Sequence, residues 1–108
     1  MKKHWFHILL ALAQGPSHGA EIRRRVLRNT NQELELYPAM LYGSLDDLLE
    51  LQFIREVEAD EARPQEASAR SRFLDLTQQG REVLAAEAME YRRVAEAADA
   101  LLAGGEAP

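Results

Sequence analysis

The chain of 108 residues contains no cysteine, which excludes disulfides, thiolate nucleophiles and every cysteine-ligated zinc site, and fits a reducing cytoplasm. Long apolar runs are missing too. The longest, "HWFHILLALA" at 4–13, has about half the length a bilayer span needs. It follows two lysines, as a signal peptide would, but a helical domain continues directly from it, so we read it as a first helix and expect no membrane partner. A glycine-rich phosphate loop is lacking, as are a nucleophile–base set and paired carboxylates, and an enzyme is therefore not expected, nor a cofactor. His4 and His7 stand three apart, a metal-compatible spacing, yet with no cysteine and no acid beside them in that helix no metal is expected.

What is present is an uneven charge. The net value is −5, but residues 1–28 carry +5, residues 29–62 carry −8, residues 63–72 carry +2 and the remainder −4. Two basic islands thus sit on an acidic body, and partner choice follows the local field more than the sum.

One domain with one core fits this length. Residues 4–13 form a helix apolar almost all round through Trp5, Phe6, Ile8, Leu9, Leu10 and Leu12. Such a helix needs cover on more than one side, and in so short a chain a second subunit is expected to supply part of it. "QGPSHG" breaks it, with Ser17 as the expected N-cap of a second helix at about 18–28. There Ile22 and Val26 point one way and Arg24, Arg25 and Arg28 the other. "NTNQELEL" is a polar connection, and Pro38 opens a third helix as its first residue. Leu41, Leu45, Leu48 and Leu49 make its inward stripe, Ala39, Gly43, Asp46 and Asp47 face out, and Tyr42 and Ser44 lie on the flanks. Strand character at 54–59 and 70–76 brackets a polar hairpin tip. Thr77 is the expected cap of a last helix reaching about residue 102, after which a disordered tail, 104–108, frays. In that helix Leu84, Ala88, Tyr91, Ala95, Ala98 and Leu102 recur as a heptad-like seam. It reads as a dimer contact, or else as a face packed on its own domain.

Helix, helix, helix, two-stranded hairpin, long helix is the order of a winged helix-turn-helix. The expected architecture is mainly α with a small β-hairpin: a DNA-binding domain over 1–77 with its wing at about 54–76, then a dimerisation helix over 78–103. Over essentially its whole length the chain resembles the PadR-like transcriptional regulators. "ILLALAQGPSHGAEI" is similar to that family's first helix and turn, "YPAMLYGSLDDLLELQFI" to its recognition helix, and "RSRFLDLTQQGREVL" to its second wing strand and Leu-Thr-x-x-Gly-Arg signature at Leu76, Thr77, Gly80 and Arg81. The closing helix is similar to that of the short members. The resemblance implies a homodimeric bacterial regulator, usually a repressor, that binds palindromic double-stranded DNA and in several members is released by a small-molecule inducer near the dimer interface.

The site residues follow from these two readings. Pro38, Ala39, Met40, Gly43 and Ser44 are short or accessible enough to enter a major groove, and Tyr42, by the resemblance, meets a phosphate or sugar. Arg24, Arg25 and Arg28, with Arg63, Arg70 and Arg72 on the wing, are candidate phosphate contacts. Trp5, Phe6 and Leu9 join the seam as the candidate dimer interface, where Trp5, Phe6 and Tyr91 could line an inducer cleft. Asp46 and Asp47 fall where relatives commonly carry basic residues, Met40 where threonine is frequent and Ala20 where an aromatic is. An acidic outward face keeps a second reading open, a winged-helix protein–protein adaptor with weak or no DNA affinity.

Overall fold

A computed structural model describes residues 1–58 and 73–105 of the chain. The elements run α1 (Lys3–Ala13), α2 (Gly19–Asn29), α3 (Pro38–Glu50), β1 (Ile54–Val57), β2 (Phe73–Leu76) and α4 (Gln78–Gly105). Three short helices surround one apolar core, an antiparallel hairpin closes its side, and α4 extends away, so that the molecule measures 64 × 27 × 25 Å. The fold is the expected mainly α winged helix-turn-helix.

Core formation follows the helical stripes. Ile8, Leu9, Ala11 and Leu12 of α1, Ile22 and Val26 of α2, and Leu41, Leu45 and Leu48 of α3 are buried together. Burial of each of these isoleucine, leucine and valine side chains stabilises by about 1.5–3 kcal/mol relative to leaving it in water. The α2–α3 connection is less polar than its sequence indicates: Leu36 is fully buried and Leu34 packs on the core. Arg23 holds it there, Nε donating to the Leu36 carbonyl at 2.9 Å and Nη2 pairing with Glu35 at 2.6 Å.

The N-cap of α2 is His18 rather than Ser17. The Nδ1 atom of His18 accepts the Glu21 amide at 3.3 Å. Ser17 is occupied elsewhere, because its backbone pairs with Leu74 in both directions, at 3.0 and 2.9 Å, and adds a third edge to the hairpin. Strand alternation also fails at one place. Phe73 and Leu74 are both buried, since the His18 ring covers Phe73 edge-on at 5.5 Å on the face that would otherwise meet water.

α1 finds its second cover within the chain, against the expectation of another subunit. Val83 and Leu84 of α4 pack on the core, and the Phe6 ring meets Tyr91 edge-on at 4.8 Å. Trp5 Nε1 and His7 Nδ1 are buried with no hydrogen-bond partner among the described residues. Burial, and then the charge of Lys3, lowers the His7 pKa below its ordinary value.

α4 begins as expected, with Thr77 Oγ1 accepting the Gly80 amide at 2.9 Å. The same hydroxyl donates to the Gln52 carbonyl at 2.6 Å, and the Thr77 amide donates to the Phe53 carbonyl at 3.1 Å. Gly80 passes directly over that Phe53 carbonyl, where a β-carbon would overlap the oxygen. The helix continues to Gly105, beyond the expected end, while the final residues of the tail, 106–108, and the wing tip lie outside the described residues.

Two outcomes follow. Gly80→Ala forces α4 away from the α3–β1 turn, and a loss of at least about 2 kcal/mol is expected as a fall in thermal midpoint by circular dichroism. The depressed His7 pKa means that the unfolded chain binds the proton more tightly, so stability is full above the ordinary histidine value of about 6.5 and declines as pH falls below it. Between pH 7.5 and 5.5 the wild-type midpoint should therefore fall further than that of His7→Gln; equal falls would remove His7 as the cause.

Candidate nucleic-acid interface

The outward face of α3 is built from what the leucine stripe leaves over. Ala39, Gly43, Asp46, Asp47 and Glu50 are exposed and share that side, with Met40 and Tyr42 on its two flanks, about half exposed. Pro38 at the first helical position is exposed as well, and Tyr37 before it is 63% exposed. Ser44 departs from the expectation. It is only 4% exposed, facing the core between Leu41 and Leu48, and this removes it from the surface set. At 100° per residue its direction lies closer to the leucines than to Gly43.

Tyr42 reaches back to α2. A β-carbon on Gly19 would stand 2.9 Å from the phenol oxygen and 3.0 Å from the ring. The glycine at the first turn of α2 is thus what lets this ring lie across it. Gly43 is different in kind, because a β-carbon there meets nothing within 4 Å.

The three α2 arginines separate into two roles. Arg24 and Arg28 are exposed, one turn apart. Arg25 folds inward, and this corrects its reading as a phosphate clamp. Its Nη1 donates to the Ala11 carbonyl at 3.1 Å, to the Gly15 carbonyl at 2.9 Å and to the Ser17 hydroxyl, while Nη2 pairs with Glu21 at 3.5 Å. A planar fork with several donors suits this task, closing the end of α1 and the following turn at once. Position within an arginine run gave no signal of it. Arg63, Arg70 and Arg72 lie outside the described residues.

A second surface is carried by α4. Leu84 belongs largely to the core, Ala88 is half-buried, and from Tyr91 to Gly104 every residue is exposed. Tyr91, Val94, Leu101 and Leu102 are between 42% and 74% exposed, and with Ala95 and Ala98 they form one apolar strip. Val94 and Leu101 were absent from the expected seam, although the spacing 91, 94, 98, 101 is itself heptad-like. Leu9 is fully buried inside the single chain and is therefore core, not interface. Trp5 and Phe6 are half-buried beside α4, with Lys2 Nζ 5.1 Å from the Trp5 ring centroid. Among the described residues no group of three or more His, Asp or Glu side chains could hold a metal ion, and no helix is long and apolar enough to cross a membrane.

The sequence model of the transcriptional regulator PadR-like family matches residues 8–86. Among curated proteins no sequence matches. Similar solved structures include a transcriptional regulator from Clostridium thermocellum, 19% identical over 88% of each chain with a TM-score of 0.70. F93 from STIV, a winged-helix DNA-binding protein, is 18% identical over 87% of this chain and 92% of its own, also at 0.70. RosR of H. salinarum is 19% identical over 99% and 94%, at 0.64. At these identities the likeness is one of fold.

Arg25→Ala removes a charged donor from the Ala11 and Gly15 carbonyls, which keep the Gln14 amide and the Ser17 hydroxyl. It also removes the donor to the buried Ser17 oxygen, and should cost about 2–3 kcal/mol. Arg24→Ala, at an exposed position, should change stability by no more than about 0.5 kcal/mol. Denaturant midpoints of the two variants check this directly, and equal values would return Arg25 to the surface.

Proposed function

We propose that this chain, which belongs to the PadR-like family of transcriptional regulators, acts as a homodimer that inserts α3 of each copy into the major groove of a palindromic operator. The observation that carries the reading is Gly43. A glycine inside a helix costs about 0.5–1 kcal/mol relative to alanine. Here neither a positive φ nor, among the described residues, a neighbouring side chain requires it. The missing β-carbon serves something outside the chain, and together with Ala39 it lets the α3 backbone lie close to an external surface. Tyr42 and Met40 flank that approach, and Arg24 and Arg28, with the wing arginines 63, 70 and 72, flank it with positive charge for phosphates.

Dimerisation is supported by α4. Its outer half would hold an apolar strip in water with no packing partner, a state in which an isolated helix is marginal. A second copy laid along Tyr91, Val94, Ala98 and Leu102 buries it. Two α3 helices about 34 Å apart then meet successive turns of the duplex. Repression by occupying the operator is the simplest consequence. A planar inducer between Trp5, Phe6 and Tyr91 would act on the same junction.

One observation favours a second reading. Asp46, Asp47 and Glu50 are exposed on α3, and that helix holds no lysine or arginine. A protein–protein adaptor would tolerate this face.

Gly43→Ala separates the two. It should raise the thermal midpoint slightly while weakening binding to the chain's own upstream DNA by tenfold or more in a gel-shift. Charge reversal at Arg70 and Arg72 should abolish the salt-dependent part of that binding, and the wild-type mass in solution should be that of two chains. Full affinity in Gly43→Ala argues against the groove placement, and no binding at low salt leaves the adaptor.

A further inference from the structure

We propose that α3 selects its half-site through thymine methyl groups and exocyclic amino groups, with guanine's major-groove acceptors left unread. This rests on the DNA-binding reading above and adds to it the chemistry of the bases chosen. The thirteen residues of α3, "PAMLYGSLDDLLE", include no arginine, lysine, asparagine, glutamine or histidine. Arg and Lys are the usual partners of guanine O6 and N7, and Asn and Gln the usual partners of adenine N6 and N7. Besides Pro38, Glu50 and the flanking Tyr42, what α3 exposes falls into two kinds. Near its N-terminus are the Ala39 methyl and the Met40 thioether, the latter 45% exposed. About two turns further on are the Asp46 and Asp47 carboxylates.

Each kind has one complement in the groove. The C5-methyl of thymine is the apolar feature of the major-groove edge, so Ala39 and Met40 meet thymine. An ionised carboxylate only accepts, so it is satisfied by cytosine N4 or adenine N6, while guanine O6 and N7 and thymine O4 repel it. The acids therefore discriminate as much by rejection as by attraction. Gly43 lies between the two groups with open space where its side chain would be, so the backbone approaches closely enough for short side chains such as Ala39 and Asp46 to reach base edges. Ala39 and Asp46 are seven residues apart, about 10 Å along the helix axis. With the helix lying along the groove, this separates the methyl-reading and amino-reading positions by about three base-pair steps.

The test begins with selection of duplexes from a random-sequence pool by the purified full-length chain, followed by base-analogue substitution in the enriched half-site. Replacing thymine by deoxyuridine removes only the methyl. At one or more half-site positions this should weaken wild-type binding about fourfold, the worth of one buried methyl-sized group, and should weaken Met40→Ala or Ala39→Gly binding by less than about twofold. Replacing half-site guanines by 7-deazaguanine should leave binding unchanged. Circular dichroism of both variants confirms that these surface changes leave the fold intact. A half-site without thymine, or one insensitive to uracil and weakened by 7-deazaguanine, overturns the proposal while leaving DNA binding standing. No enrichment of any duplex sequence overturns the DNA reading itself, and this proposal with it.

Discussion

The contact on which the rest of the molecule depends is the seating of the first turn of α4 on the turn that follows α3. Three atoms of Thr77 and Gly80 are involved: the threonine amide donates to the Phe53 carbonyl, its hydroxyl donates to the Gln52 carbonyl and accepts the Gly80 amide. The Phe53 amide in turn donates to Leu48 inside α3. Gln52 adopts a φ of +64°, so the turn is tightly bent, and the missing side chain of Gly80 leaves room for the Phe53 carbonyl. The end of α3 and the start of α4 are consequently one rigid joint. In the proposed dimer this joint transmits geometry, because whatever fixes α4 against a second copy also fixes the angle at which α3 is presented.

A second lock sits at the other end of the helix-turn-helix. Arg25 gathers the last turn of α1, the Gly15 carbonyl and Ser17, and Ser17 is itself paired to Leu74 of β2. The turn between α1 and α2 is thereby tied to the hairpin, and α2 carries Gly19 beneath the Tyr42 ring. An arginine that looks like one of a surface cluster is spent on internal carbonyls. Removing it would loosen the frame around α3 without touching α3, which is why effects on DNA affinity alone could not distinguish it from a phosphate contact.

Much of this was legible in the chain. The leucine stripe of α3, the proline at its start and the threonine cap of α4 are local patterns, and local patterns fix local structure. Most of the misses share a cause. Leu9, Leu36 and Arg25 were misplaced because their surroundings come from residues distant in sequence, whereas the burial of Ser44 follows from its direction on α3 beside the leucine stripe. Leu9 is fully buried in the core on which Val83 and Leu84 of α4 pack, so this side chain of the apolar α1 needed no second subunit to cover it. Ser17 lost its cap to His18 through a bridge to a strand more than fifty residues away. For the candidate interface, the small and acidic residues of α3 were visible at once. The significance of Gly43 was not, because the sequence does not say whether the space beside a glycine is filled or open.

That open space bears on the acidic character of α3. A helix carrying three exposed carboxylates and no cation gains no Coulomb attraction to phosphate, and at the ionic strength of a cell its own field reaches about 8 Å. In the proposed complex attraction comes from other elements, from Arg24, Arg28 and the arginines at 63, 70 and 72, since phosphate contacts are salt-dependent and indifferent to sequence. In the proposed complex, affinity and selectivity are divided between different parts of the chain. There the flanks draw the duplex in, and α3, set on the Thr77–Gly80 joint and stripped to bare backbone at Gly43, meets those base edges that a carboxylate and a methyl group can face.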